Sequence, residues 1–200
     1  VPSDSERIAA ALPRASRASH VVRLGGASAT MVCEGRTCPE EVPVPTKLQA
    51  GDAAPEFELD DDRGARMNLE EQRGSWVVLY WYPKDYTPGC TTEACEIRDS
   101  WSLISAEAAL FGVSPDGVKS HQKFRDKFGL PFPLLADPDH KVSEEYGVWG
   151  PKTFMGREYF GVDRSTFIIA PDGKIAKIFE KVKPAGHAVE ILQALSELKK

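Results

Sequence analysis

Seven consecutive apolar residues, WVVLYWY at 76–82, constrain the fold of this chain more than any other stretch. The run has the length of a strand and offers no polar face to water, so it reads as a strand buried on both sides. Such a strand sits inside a sheet with layers packed over both faces. Four further stretches read as strands: ALFGVSP (109–115), FPLLAD (132–137), STFIIAP (165–171) and KIAKIFE (174–180). The turn APDGK joins the last two into a hairpin. Helical stretches fall at about 90–104, 118–128, 140–146 and 184–198. Strands alternating with helices predict an α/β sandwich around a central mixed sheet.

Directly after the apolar run comes YPKDYTPGCTTEACEIRD (82–99), which holds Cys90 and Cys95, two of the chain's four cysteines. Thr87 is a helix-capping residue type, and Pro88 suits the first helical position because its missing N–H is not needed there. Cys90 then falls in the first turn, where free backbone N–H groups and the positive end of the helix dipole favour a thiolate. Cys95 is five residues on, ~7.5 Å of rise along a helix, giving Cα atoms roughly 8–9 Å apart. A disulfide needs ~4.4–6.8 Å. The pair therefore bonds only if the first turns unwind, which suits a cycle between a folded reduced form and a locally unfolded disulfide form.

Other readings of these thiols stand beside that one. A lone cysteine is often just buried, and a zinc site would need Cys33 and Cys38 as a second ligand pair. A dithiol oxidoreductase is weakened, because its motif is C-x-x-C and this is C-x-x-x-x-C.

Composition bounds the rest. The 200 residues suit one globular domain with an appendage, and 42% hydrophobic with 28% charged residues is enough to bury a core. No apolar run approaches the ~18 residues of a membrane span, and a net charge of -5 gives no case for nucleic acid or anionic lipid. Four cysteines are too few for a disulfide-stapled scaffold, which points to an intracellular protein, cytoplasmic by expectation. Composition changes near residue 46, dividing a 1–45 extension from a 46–200 domain.

The segment YPKDYTPGCTTEAC resembles the active-site segment of the peroxiredoxins, and most closely the peroxiredoxin Q or bacterioferritin-comigratory group. The pattern Pro-x-x-x-Thr-x-x-Cys, with a second Cys five positions later, falls on Pro83, Thr87, Cys90 and Cys95. The likeness continues through GVSPDGVKSHQKFRDKFGLPFPLLAD, YGVWGPK and RSTFIIAPDGKI, covering residues 48–200. It implies a thioredoxin-like fold and a thiol peroxidase without metal, haem or flavin. Cys90 would attack a hydroperoxide and become a sulfenic acid, Cys95 would resolve it as a disulfide, and thioredoxin or a similar dithiol would reduce that bond. Thr87 would hydrogen-bond the peroxide oxygens, the Gly89 and Cys90 N–H groups would polarise the O–O bond, and Pro83 would shield the thiolate. Arg164, opening RSTFIIAP, would stabilise thiolate and transition state; spacing alone does not select it. Arg98, ~12 Å of rise along the helix from Cys90, is poorly placed. Glu93 matches the family pattern too, but the helix dipole alone explains a first-turn Glu, so its role is supporting.

His121 sits on a polar helical stretch and reads as exposed, while His20, His140 and His187 lack a convergent partner by spacing. Within 1–45, VVRLGGASATMV suits a short hairpin, and the Arg/Ala/Ser-rich composition also fits an organelle transit segment or a tail. Cys33 and Cys38 repeat the five-residue offset of Cys90 and Cys95, as an accessory dithiol or as unrelated thiols. The expected state is a monomer or weak dimer. A non-catalytic redox sensor on the same fold is the alternative function, but it would not need Pro83, Thr87, Cys90 and Arg164 together.

Overall fold

The computed structural model describes residues 47–154 and 156–200. The hairpin expected within 1–45, with Cys33 and Cys38, lies outside the described residues. In chain order the elements are β1 (Glu58–Asp61), β2 (Arg66–Asn68), a 3-10 turn (Glu70–Gln72), β3 (Val77–Trp81), α1 (Pro88–Asp99), α2 (Trp101–Glu107) and β4 (Ala109–Ser114). There follow α3 (Val118–Phe128), β5 (Leu134–Ala136), α4 (Lys141–Glu145), β6 (Trp149–Phe154), β7 (Arg157–Val162), β8 (Ser165–Ile169), β9 (Ile175–Phe179) and α5 (His187–Leu198).

Seven strands form one mixed sheet in the order β2-β1-β5-β4-β3-β8-β9. β3 lies between β4, which runs parallel to it, and β8, which runs antiparallel. Every residue of β3 is 2% exposed or less. The pleat alternates its side chains: Val78 and Tyr80 join the cluster under α1, α3 and α5, while Val77, Leu79 and Trp81 join the cluster on the opposite face. Burying side chains of this size contributes ~1.5–3 kcal/mol each, so the apolar run is what fixes the two layers. Gly112 in β4 makes room for this: a Cβ there would lie 2.7 Å from the Tyr80 Cζ and Oη atoms. The Tyr80 ring can therefore lie flat against the neighbouring strand.

One expectation changes, and four strands were not read from the sequence. The helix read over 90–104 is two helices, α1 and α2, joined at Ser100, whose backbone N–H bonds back to α1. Strands β1 and β2 are short and lie at one end of the sheet, with too few apolar residues to show a period. The hairpin β6–β7 pairs outside the main sheet, and Tyr159 and Phe160 on it are 52% and 65% exposed. A hairpin with little to bury carries no apolar alternation, and Pro151 is tolerated because the strand is an edge.

Candidate active site

The chain leaves β3 at the centre of the sheet, crosses the loop 82–87 and enters α1 with Pro88 at its first position. Thr87 is the N-cap residue with extended backbone (φ -72, ψ 146), but its side chain does not cap. Its hydroxyl donates instead to the Lys84 carbonyl at 3.1 Å, which leaves the oxygen free to accept. Pro83 lies exposed on the same loop.

Cys90 is the third residue of α1 and is 2% exposed. Its sulfur receives Arg164 Nη2 at 3.0 Å, across 74 residues of sequence, because β8 pairs with β3 and delivers Arg164 at its leading end. The other end of the guanidinium, Nη1, is ion-paired with Glu93. A single cation is thus shared by the sulfur and a carboxylate. Burial works against the charge of Arg164, but Glu93 and Cys90 more than offset this and push its pKa up. Gly89 permits the close approach: a Cβ there would lie 3.2 Å from Pro184 Cγ and 3.6 Å from Arg164 Nη2.

Glu93 departs from the sequence reading. It is not in the first turn of α1, and it is fully buried at 0% exposure. A residue three positions after Cys90 shares its helix face, so Glu93 points inward toward Arg164 rather than to the helix dipole. Burial pushes its carboxyl up to about 7, against the pull of Arg164 downward. Among the described residues its Oε1 has no hydrogen-bond partner, and neither has the buried Tyr80 Oη. Burial, then the charges of Glu93 and Cys90, push the Tyr80 phenol well above its ordinary range.

Cys95 is half-buried on the same helix, and both cysteines are free thiols. α1 is unbroken from Pro88 to Asp99, so the five-residue offset holds the two apart as helix geometry requires. Arg98 turns away, bonding Asp99 and the carbonyl of Phe128 at 2.9 Å and 2.8 Å.

His121 is the second departure: expected at the surface, it is 0% exposed. Its spacing to Phe124 and Phe128 is that of a helical core stripe, and the lysines around it masked the pattern. Its Nδ1 lies 2.9 Å from Asp85 Oδ2, which also accepts from Ser120 Oγ at 2.7 Å. Tyr82 Oη donates to Asp85 Oδ1 at 2.8 Å. Burial alone would raise the Asp85 pKa, but bonds from His121, Ser120 and Tyr82 hold it below its ordinary value. No motif singled out Asp85, although it sits inside the quoted active-site segment.

Of the remaining histidines, His20 lies outside the described residues and the other two have structural settings. His187, fully buried, lies between Thr166 Oγ1 at 2.8 Å and Glu190 Oε2 at 3.0 Å, and burial lowers its pKa. His140 stacks on Trp149 with ring centroids 3.8 Å apart. Among the described residues no group of three or more His, Cys, Asp or Glu side chains could hold a metal ion, and no helix is long and apolar enough to cross a membrane.

A buried sulfur at a helix N-terminus, hydrogen-bonded to a guanidinium, is arranged to react as a nucleophile with a small polar electrophile. Known proteins share the arrangement's sequence and fold. The AhpC/TSA family matches residues 50–178. Peroxiredoxin Bcp of Bacillus subtilis is 46% identical over 152 residues, which are 76% of this chain and 97% of that protein. Among solved structures, Xanthomonas campestris peroxiredoxin Q superposes with a TM-score of 0.69 at 39% identity, over 72% of this chain and 92% of its own. A mutant of PrxQ from Xylella fastidiosa gives a TM-score of 0.73 at 34% identity, over 78% and 99%. The thioredoxin-like mixed sheet and the active-site segment thus come together in one lineage, and the chain belongs to the AhpC/TSA family, in its peroxiredoxin Q and Bcp group.

Proposed function

We propose that this chain is a thiol peroxidase that reduces hydrogen peroxide and organic hydroperoxides through Cys90. The observation that carries the reading is the 3.0 Å bond from Arg164 Nη2 to Cys90 Sγ at the start of α1. A peroxide entering here meets the sulfur, the accepting Thr87 oxygen and the N–H groups of Gly89 and Cys90, which the helix leaves unpaired in its first turn. The Cys90 thiolate attacks the terminal peroxide oxygen, the S–O bond forms as the O–O bond breaks, and the leaving oxygen takes a proton to become water or an alcohol. Arg164 is placed to stabilise the charge that moves from sulfur to oxygen. Glu93 holds the guanidinium in line, and Pro83 limits water at the thiolate.

Cys90 is left as a sulfenic acid. Cys95 condenses with it, the S–OH and S–H groups losing water as the disulfide forms. α1 must unwind for this, since its intact geometry keeps the sulfurs apart. A dithiol protein such as thioredoxin then reduces the bond by exchange, giving two thiols here and a disulfide there. The Xanthomonas campestris bacterioferritin comigratory protein has an alkyl peroxide reduction activity, which supports organic hydroperoxides as substrates. The chemistry belongs to residues 46–200, working in the cytoplasm as a monomer or weak dimer. Residues 1–45 form an extension with no assigned step.

NADPH consumption through a thioredoxin and its reductase, started by hydrogen peroxide, tests the proposal. Turnover that needs both Cys90 and the thioredoxin is expected. A chain that binds thioredoxin yet consumes no peroxide would overturn it.

A further inference from the structure

The segment that carries both cysteines is fastened at its two ends by one helix. At the N-terminal end, Asp85 is 3% exposed, and its carboxylate accepts from Tyr82, Ser120 and His121 at 2.8, 2.7 and 2.9 Å. Its backbone N–H donates to Asp116 Oδ2 at 2.7 Å. The next residue, Tyr86, holds a left-handed backbone (φ 62) that a non-glycine residue keeps only when its surroundings impose it. The Tyr86 ring meets Phe124 edge-on with centroids 5.2 Å apart, and the Lys127 ammonium lies 5.3 Å from the ring centre. Ser120, His121, Phe124 and Lys127 all belong to α3. At the C-terminal end, Arg98 Nη1 donates at 2.8 Å to the carbonyl of Phe128, the last residue of α3, and the adjacent Ile97 is fully buried. Cys90 and Cys95 lie between these fastenings.

The two kinds of structure differ in what it takes to open them. Bonds to a buried carboxylate are the strong kind, and opening them strands a charge in the interior. The turns between the fastenings are held less completely, since one guanidinium is divided between Cys90 and Glu93 and Glu93 Oε1 has no partner among the described residues. We propose that α3 is the fixed frame of the redox cycle. The Asp85 clasp and the Arg98 tie stay closed in both redox states and confine the remodelling to residues 87–96. Asp85, with Ser120 and His121, is then a positioning residue for the peroxide step, because it sets where α1 starts and returns Cys90 to Arg164 after each reduction. This rests on the reading that Cys90 and Cys95 form the disulfide.

The test uses the full chain, reduced and peroxide-oxidised, with disulfides mapped and amide exchange followed in both states. A Cys90–Cys95 bond is expected, with protection lost over residues 87–96 and the Asp85 amide changing by less than about twofold. A mapped Cys90–Cys95 bond together with loss of protection at Asp85 overturns the frame and leaves the peroxidase reading standing. Absence of that bond overturns the frame and the assignment of Cys95 as the resolving thiol, and leaves the reaction of Cys90 with peroxide to the NADPH measurement. Stopped-flow tryptophan fluorescence then separates the two chemical steps. Asp85→Asn should slow the peroxide step by about tenfold and leave disulfide closure as fast or faster, since a looser start to α1 harms attack but eases unwinding. Ser143→Ala, which removes a buried bond to Asp137 on the opposite face of the sheet, is the control for general loosening. It should change neither rate by more than about twofold. Ser120→Ala removes one bond to the clasp and keeps the test readable should Asp85→Asn fail to fold. Equal rates in wild type and both clasp variants, or a fall in both steps matched by Ser143→Ala, would overturn the positioning role.

Discussion

Two polar clusters are buried under the same face of the sheet, on either side of the turn into α1, and they are finished differently. Around Asp85 both carboxylate oxygens are taken, by Tyr82, Ser120 and His121, and the atom left unpaired among the described residues is the far ring nitrogen of His121, Nε2. Around Arg164 the guanidinium is divided between Cys90 and Glu93, while Glu93 Oε1 and Tyr80 Oη have no partners among the described residues. A buried carboxylate bonded at both oxygens is held rigidly, and one with an unpaired oxygen stores free energy that a ligand or a proton can release. The first cluster suits an anchor and the second suits a reaction centre.

The largest effect that this contrast predicts is at the sulfur. Cys90→Ser should abolish peroxide turnover completely, because a hydroxyl at that site is not ionised and does not attack peroxide. Cys95→Ser should still consume about one equivalent of peroxide and then stop as a sulfenic acid, which a sulfenate-trapping reagent and mass spectrometry would detect. Substantial thioredoxin-dependent activity in Cys90→Ser would place the reaction centre elsewhere.

Next is the shared cation. Arg164→Ala removes the donor to Cys90 and strands Glu93, so the second-order rate with peroxide should fall ~10²–10³-fold, the usual loss for a preorganised donor at a developing charge. Circular dichroism should show the fold retained. A near-normal rate would make the 3.0 Å contact incidental.

Much of this was legible before the structure, for identifiable reasons. Burial on both faces forces a strand to be apolar throughout, so residues 76–82 announced β3. Pro88 announced the start of α1 by backbone chemistry that is local to the sequence, while Thr87 marks the N-cap position without capping it. Long-range polar partners leave no such trace. Arg164 stands 74 residues from Cys90 and was picked out only by its resemblance to a family pattern. His121 looked exposed because lysines surround it, although its three- and seven-residue spacing to Phe124 and Phe128 is the core face of α3. Tyr80 counted as one more apolar residue in its run, which hid the unpaired hydroxyl.

Glu93 gives a third way to sharpen the contrast, through pH. Its folded pKa of about 7 lies above the ordinary 4.5, chiefly because burial favours the neutral acid. A raised folded pKa means that stability from this group is fully present below pH 4.5 and is lost as pH rises through 7. Between these values the native state holds a proton that the unfolded chain has released. Wild-type stability should therefore fall by up to ~1.4 kcal/mol per pH unit relative to a chain with no ionisable group there, on the order of 3 kcal/mol in all. Glu93→Gln should remove that part of the slope in urea denaturation at pH 5, 6, 7 and 8. Parallel slopes for the two proteins would mean that Glu93 stays ionised, and that the cluster is a closed ion pair after all.

The smallest effect compares two tyrosines one strand position apart on the same face. Tyr80 and Tyr82 are each 1% exposed and stack with ring centroids 5.6 Å apart, so replacing either with Phe keeps the packing. Only the hydroxyls differ in what they do. The Tyr82 hydroxyl donates to a buried carboxylate, and its removal leaves Asp85 short of a bond, a loss of about 1–3 kcal/mol. The Tyr80 hydroxyl has no partner among the described residues, so Tyr80→Phe removes an unpaired buried group and should be neutral or stabilising by about 1 kcal/mol. Denaturant midpoints at one pH decide it, and the sign of the difference matters more than its size. Were Tyr80→Phe as destabilising as Tyr82→Phe, the Tyr80 hydroxyl would have to bond within the reaction centre, through Glu93 or a buried water. The carboxylate beside Arg164 would then be held as closely as the one at Asp85, and the distinction between anchor and reaction centre would have to rest on the sulfur alone.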